Sequence, residues 1–276
     1  MKLDAALTQA QAALAGCSDS PRLDAELLLG HVLGWSRAQL FARLHDELDA
    51  AAAARFDALL QRRRGGEPVA YLCGTQGFWS LTLEVSPDVL VPRPETELLV
   101  EWALERIPAR GAFAVADLGT GSGAIALALA AERGEARIVA IDVSAAALCV
   151  ARRNAQRAGL SKVDWREGRW WQPLAGERFD LIVSNPPYIA RDDPHLDALR
   201  HEPLQALSDG ADGLQALREI VAGAAAHLRP GGWLLVEHGC DQGETVRALF
   251  AAAGFGDIAT RRDLEGRERV TGGCRR

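Results

Sequence analysis

Asn185-Pro186-Pro187-Tyr188 follows the apolar run Phe179–Ser184, which has the pattern of a buried strand. Two prolines fix φ and keep the next turn extended. Asn185 is therefore presented rigidly at the C-terminal edge of a strand, where open α/β sheets bind ligands. Its carboxamide oxygen and a neighbouring backbone carbonyl are two acceptors, enough to hold both hydrogens of one NH2 group. That arrangement suits a planar amide or an exocyclic amine whose nitrogen is aimed at an electrophile.

A second group, Asp117-Leu118-Gly119-Thr120-Gly121-Ser122-Gly123, joins a predicted strand to a helix. Glycines permit a tight turn and close approach of a ligand to the backbone, and the helix start offers free N–H groups. Asp142 ends the next strand, about 23 residues after Gly119, the spacing of a carboxylate that binds ribose hydroxyls. Gly119, Gly121 and Ala124 also satisfy the relaxed dinucleotide fingerprint. Two features favour one ligand over the other: Asp117 puts a carboxylate beside the loop, which repels a pyrophosphate and attracts an ammonium, and Asn185-Pro186-Pro187-Tyr188 ends a strand beside the same cleft. S-adenosylmethionine carries an α-amino group and no pyrophosphate.

The elements that position these residues read as follows. Residues 1–66 form an Ala/Leu-rich helical domain, with Leu3, Ala6, Leu7, Ala10 and Leu14 at helical spacing. Arg62, Arg63 and Arg64 close it as a basic helix end. Residues 67–90 read as a β-hairpin linker, with Tyr71–Gly74 and Phe78–Val85 extended. Residues 91–276 alternate strands and helices, which predicts a mostly parallel doubly wound sheet. Two closing strands, near 256–260 and 268–271, predict an antiparallel edge.

The chain has 276 residues, 48% of them hydrophobic and 25% charged, with a formal net charge of −6. A duplex-binding protein usually carries a basic excess. Residues 1–75 hold eight Lys+Arg and nine Asp+Glu, so no basic target-recognition region is visible and stable nucleic-acid binding is not expected. The five cysteines include no Cys-x-x-Cys pair and read as reduced thiols of a cytoplasmic protein. No apolar stretch is long enough to span a bilayer, and no metal-ligand cluster is evident. His195, His201, Asp192 and Asp193 read as surface loop residues.

With these residues in hand, the chain resembles the peptide-chain-release-factor glutamine N5-methyltransferases, the HemK-like or PrmC-like family. The resemblance runs the whole length. It rests on Val89–Glu97, Asp117–Gly123, Ile141–Ser144, Ser184–Ile189, Glu202-Pro203, Asp212–Leu214 and Leu228–Gly232. Asn-Pro-Pro-Tyr is shared with amine-directed DNA methyltransferases, whereas Pro92-Arg93-Pro94-Glu95-Thr96-Glu97 is far more specific. The resemblance implies a Rossmann-like S-adenosyl-L-methionine-dependent sheet with an N-terminal helical domain that docks a protein substrate. It implies that Asp117, Gly119, Thr120, Gly121, Ser122, Gly123, Asp142 and Asn185 hold the cofactor. Trp170 stands by the adenine, with the adjacent Trp171 as the alternative. Asn185, Pro186, Pro187 and Tyr188 bind the substrate glutamine; Asn185, Pro186 and Tyr188 serve the chemistry, Tyr188 by packing on the flat amide. Arg93, Glu95 and Glu97 shape the pocket rim or favour the start of the following helix. The implied substrate is the glutamine of the Gly-Gly-Gln motif of class 1 release factors. A ribosomal-protein glutamine is the alternative, and adenine N6 of a nucleic acid a more distant one.

Overall fold

The computed structural model describes all 276 residues, which divide into two compact units, Met1–Thr75 and Gln76–Arg276. The first is helical: α1 (Leu3–Leu14), α2 (Pro21–Leu33), α3 (Arg37–Ala42), α4 (Ala50–Arg64) and α5 (Val69–Cys73). Pro21 starts α2, and Gly34, in the left-handed region, ends it. Ser36 and Gln39 form a capping box at α3, and Asp49 caps α4 through the Ala52 amide at 2.8 Å. Leu3, Leu7, Leu14, Leu28, Phe56 and Leu72 make its core. Arg63 is tied to Asp24 at 2.8 Å and Arg62 to Glu67 at 2.5 Å, so the basic end of α4 is engaged within its own unit.

Tyr71–Gly74, expected to be extended, forms α5 and its C-cap instead. Ala70, Tyr71 and Leu72 are buried there, and Leu72 belongs to the helical core. Burial of that apolar run overrides its β propensity. The hairpin expected after it is present as β1 (Thr75–Phe78) and β2 (Leu81–Glu84).

In the second unit a 3₁₀ turn at Pro94–Thr96 leads into α6 (Glu97–Arg106), then β3 (Ala114–Leu118) and α7 (Ala124–Glu132). Next come β4 (Arg137–Asp142), α8 (Ala145–Ala158), β5 (Asp164–Glu167) and β6 (Phe179–Ser184). Short α9 (His195–Ala198) and α10 (Leu204–Leu207) precede α11 (Gln215–His227), β7 (Leu228–Glu237), α12 (Gly243–Ala252), β8 (Phe255–Arg262) and β9 (Glu268–Arg275). The sheet order is β5-β4-β3-β6-β7-β9-β8. The first five strands are parallel and the last pair antiparallel to their neighbours. β7 starts at Leu228, ahead of Pro230-Gly231-Gly232, because Leu228 pairs with Phe179 before a register irregularity.

Alternation places the two layers. Val115, Leu181, Val183 and Leu235 face one core with α6 and α7; Ala116, Ile182, Leu234 and Val236 face the other with α11 and α12. Each fully buried Leu, Ile or Val contributes about 1.5–3 kcal/mol. From β3 the chain winds outward through β4 to β5, then returns to place β6 on the other side of β3. That reversal opens a crevice at the carboxyl ends of β3 and β6.

Candidate active site

The strand register brings the chemistry-bearing residues together. Leu118 pairs with Ile141 on one side and Ser184 on the other, and Ser184 pairs with Val236. The next residues along these strands are Gly119, Asp142, Asn185 and Glu237, so four strand ends present them in a row. The Ser184 hydroxyl donates to the Leu118 carbonyl at 2.6 Å and ties two of these ends together. A cavity of about 370 Å³ opens above them, with Gly119, Gly121, Asp142, Trp170, Asn185 and Pro187 in its wall. A second cavity, of about 230 Å³, lies by the far ends of β4 and β5 and holds none of the predicted residues.

The Gly119 and Thr120 amides both donate to the Ile141 carbonyl, at 2.8 and 2.9 Å, which folds the loop over β4. Gly119 has φ 75°, and a Cβ there would come within 3.2 Å of the Trp170 ring. Gly123 has φ 84° and would meet Trp165, Ala151 and Leu127. Any larger residue at either position would strain the backbone and push the loop off its support. Asp142 accepts from the Gly121 amide at 2.8 Å and the Ser144 amide at 2.9 Å. Burial pushes its carboxyl pKa up, against those amides. Each oxygen keeps lone-pair capacity for a further donor.

Asp117 differs from its expected place. It is fully buried beneath the loop and absent from the cavity wall. Its Oδ2 accepts from the Thr120 hydroxyl at 2.6 Å. The Ala126 amide lowers its pKa, yet Oδ1 has no hydrogen bond of normal geometry. An acidic side chain ending a fully buried strand goes under the turn rather than into solvent. Burial pushes its pKa up to about 7, the Thr120 hydroxyl acting against it. The ionised form is therefore disfavoured in the folded state, and the cost develops as pH rises from about 4 to about 7. Asp117→Asn should gain stability relative to the parent across that window, by at most about 4 kcal/mol. Urea unfolding of both proteins at pH 5 and 7.5 checks this; a pH-independent difference contradicts it.

The structure separates the two tryptophans. Trp170 lines the cavity against Gly119 and has φ 46°, a strained conformation for an aromatic residue of the kind found at functional sites. Trp171 instead donates to the Glu219 carbonyl at 3.1 Å and stacks on His227 at 4.9 Å.

The Asn185 NH2 donates to the Thr96 hydroxyl at 3.2 Å, which leaves Oδ1 as its outward acceptor. Pro186 is buried and Pro187 lines the cavity. Tyr188 is not a wall of the cavity. Its ring packs in the core beside α11 and its hydroxyl donates to Glu237 Oε1 at 3.2 Å. Burial, then the Glu237 carboxylate, push its phenol well up, so it stays a donor.

Several residues that build the site carried no such role in the sequence. Gln242 Nε2 donates to the Tyr188 carbonyl at 3.0 Å and the Gly213 carbonyl at 3.2 Å, clamping the turn after the prolines. Glu202 accepts from the Val91 amide at 3.0 Å and pairs with Arg93. That joins the 89–93 segment to the 202–209 segment, both of which supply wall residues. Glu97 accepts from the Trp79 amide at 2.7 Å and so supports the hairpin rather than the rim. Glu95 lies 3.8 Å from Arg267. His195 rests on Asp193 at 2.6 Å in an exposed segment.

Known proteins bear on this geometry. The PrmC N-terminal domain family matches residues 5–74, and the methyltransferase small domain family matches residues 95–204. A release factor glutamine methyltransferase of Xylella fastidiosa (strain Temecula1) is 58% identical over 254 residues, 91% of this chain and 92% of that protein. The Escherichia coli (strain K12) protein of the same name is 47% identical over 96% of this chain and 95% of its own. A solved methyltransferase from Pyrococcus furiosus shares the fold, with TM-score 0.55 and 18% identity over 79% of this chain and 97% of that one.

Proposed function

Because the chain belongs to the release factor glutamine methyltransferase family, we propose that it transfers a methyl group to the side-chain amide nitrogen of a protein glutamine. The glutamine is that of the Gly-Gly-Gln motif of class 1 release factors. The observation that carries this reading is the orientation of Asn185, whose NH2 is engaged by Thr96 and whose oxygen is left as an acceptor.

S-adenosyl-L-methionine, the cofactor of this fold, supplies an electrophilic methyl group when bound. The residues present fit it. Asp142 has spare acceptor capacity for ribose hydroxyls, and Gly119 and Gly121 bring backbone to the cavity wall, whereas Thr120 and Ser122 are buried and support the loop from outside that wall. Asp117, buried beneath the loop, fixes its shape through the Thr120 hydroxyl. Trp170 offers a ring face to the adenine.

An amide nitrogen is a poor nucleophile because its lone pair is delocalised. Asn185 Oδ1 and the Pro186 carbonyl accept its two hydrogens and aim the nitrogen at the methyl group. The same acceptors stabilise the positive charge that grows on nitrogen, and near-attack positioning supplies much of the remaining acceleration. Tyr188 and Gln242 hold the turn that carries both acceptors.

The first helical unit docks the protein substrate in this reading. Leu23 and Leu27 of α2 and Phe41 of α3 are exposed there. Changing all three to serine should raise KM for the protein substrate and leave cofactor affinity alone; equal loss of both assigns them a purely stabilising role. We place the enzyme in the cytoplasm, in line with its five unpaired cysteines and the translational role of its substrate. No helix is long and apolar enough to cross a membrane.

Incubation with labelled cofactor and, separately, a release factor, ribosomal proteins and oligonucleotides tests the substrate. Label is expected on the release factor. Label only on ribosomal protein or on nucleic acid would overturn the assignment.

A further inference from the structure

The turn after the two prolines is held from outside the cavity. Gln242 Nε2 gives its two hydrogens to the Tyr188 and Gly213 carbonyls, at 3.0 and 3.2 Å. A Cβ at Gly213 would collide with the Tyr188 carbonyl, so a glycine is needed for both carbonyls to reach one NH2 group. The orientation of the Gln242 amide is forced. Its Oε1 accepts from the Gly239 amide at 2.9 Å. A backbone N–H can only donate and a backbone carbonyl can only accept.

Gly239 is held in turn by a buried chain at the antiparallel edge of the sheet. His238 and Thr271 are 0% exposed, so neither can turn to water. His238 Nδ1 lies 2.8 Å from the Gly239 carbonyl, and Nε2 lies 2.8 Å from Thr271 Oγ1. Thr271 Oγ1 lies 2.8 Å from Thr260 Oγ1, which accepts from Arg247 at 2.9 Å. Both ends dictate the direction of this chain. A carbonyl cannot donate, so Nδ1 carries a hydrogen. A guanidinium cannot accept, so the Thr260 hydrogen turns to Thr271 and the Thr271 hydrogen to Nε2. A second ring hydrogen, on Nε2, would leave one hydroxyl hydrogen with no acceptor in the chain. Burial also lowers the His238 pKa, against the Gly239 carbonyl, which favours the neutral ring.

We infer, on the basis of the methyl-transfer function proposed above, that His238 and Gln242 are positioning residues for the Asn185 clamp. The chain from Arg247 to His238 fixes the Gly239 carbonyl. The Gly239 amide fixes Gln242, and Gln242 fixes the Tyr188 carbonyl, three residues after Asn185. Every side chain in the series donates toward the active site. The strands β8 and β9, which supply no residue to the cavity wall, thereby help to aim the substrate nitrogen. Gln242→Glu keeps the acceptor for Gly239 but sets a second oxygen against two carbonyls at nearly constant shape. His238→Phe removes the ring nitrogens. Thr271→Val breaks the chain one link further back, also at nearly constant shape.

Two measurements on the full-length protein test this. With release factor as substrate and saturating cofactor, Gln242→Glu is expected to lower kcat about 100-fold, as for a clamp displaced by about 1 Å. His238→Phe and Thr271→Val should each lower it about 10-fold on the same ground. Cofactor affinity should stay within about twofold of the parent. Because His238 acts through Gln242, the Gln242→Glu, His238→Phe double variant should be no more than about threefold slower than Gln242→Glu alone. Independent structural roles predict losses that multiply to about 1,000-fold. That outcome, or kcat retained within about threefold in Gln242→Glu, would overturn the inference. The second measurement needs neither substitution nor substrate. ¹⁵N NMR of the His238 ring at about pH 8, where the ring is neutral, should show hydrogen on Nδ1 and a bare Nε2. An Nε2–H tautomer would overturn the chain. Failure of the parent enzyme to label a release factor would overturn the proposed substrate, while the tautomer still decides the direction of the chain.

Discussion

Asn185→Ala should lower kcat for glutamine methylation by about 10³-fold or more while leaving cofactor affinity within about twofold. Loss of one preorganised group that stabilises developing charge costs about 10²–10³-fold. Loss of near-attack geometry adds to that. The substitution also frees Thr96, but Asn185 makes a single side-chain hydrogen bond to the protein and is only partly buried, so the stability penalty is about 1 kcal/mol. The residues proposed to hold the cofactor lie chiefly on β3, β4 and the loop after β3, whose hydrogen bonds do not involve Asn185. Stopped turnover with intact cofactor binding, measured by single-turnover kinetics and calorimetry, is the expected pattern. Equal loss of cofactor affinity would move Asn185 from the substrate clamp to the cofactor site.

Asp142→Ala should produce the complementary pattern. Its carboxylate orders the start of the cofactor loop through the Gly121 amide and the turn into α8 through the Ser144 amide. Each hydrogen bond to a charged group is worth about 1.5–3 kcal/mol. Two ribose hydroxyls therefore account for about 10²–10⁴ in affinity. S-adenosyl-L-methionine binding should weaken by at least about 100-fold, and kcat should recover substantially once the cofactor is saturating. Calorimetry of the cofactor against parent and variant checks the first part, and a kcat titration the second. A loss below about fivefold would mean that the ribose is held elsewhere.

The strand ends were legible because each is announced locally. Phe179–Ser184 ends at a proline pair, Ala114–Leu118 ends at glycines, and Arg137–Asp142 ends at an acid. Sheet order made them neighbours, and the switch point between β3 and β6 follows from alternating strands and helices. The supporting residues were not legible in the same way. Thr96 and Asn185 meet across 89 positions of sequence and Tyr188 and Glu237 across 49, and no local pattern marks them as partners. Gln242 and Glu202 were hidden for the same reason. Spacing places Asp117 beside the loop but does not report its depth beneath it. The β-prone residues of Tyr71–Gly74 favour an extended segment in sequence, and only the packed helical unit supplies the burial that makes it helical.

In the proposed reaction one glutamine nitrogen receives the methyl group. Incubation of the enzyme and cofactor with a purified class 1 release factor, followed by digestion and tandem mass spectrometry, tests it most directly. A mass increment of one CH2 is expected on the side chain of the Gly-Gly-Gln glutamine alone, and is expected to be absent with Asn185→Ala. An increment on any other residue, or an unmodified Gly-Gly-Gln peptide after exhaustive incubation, would contradict it.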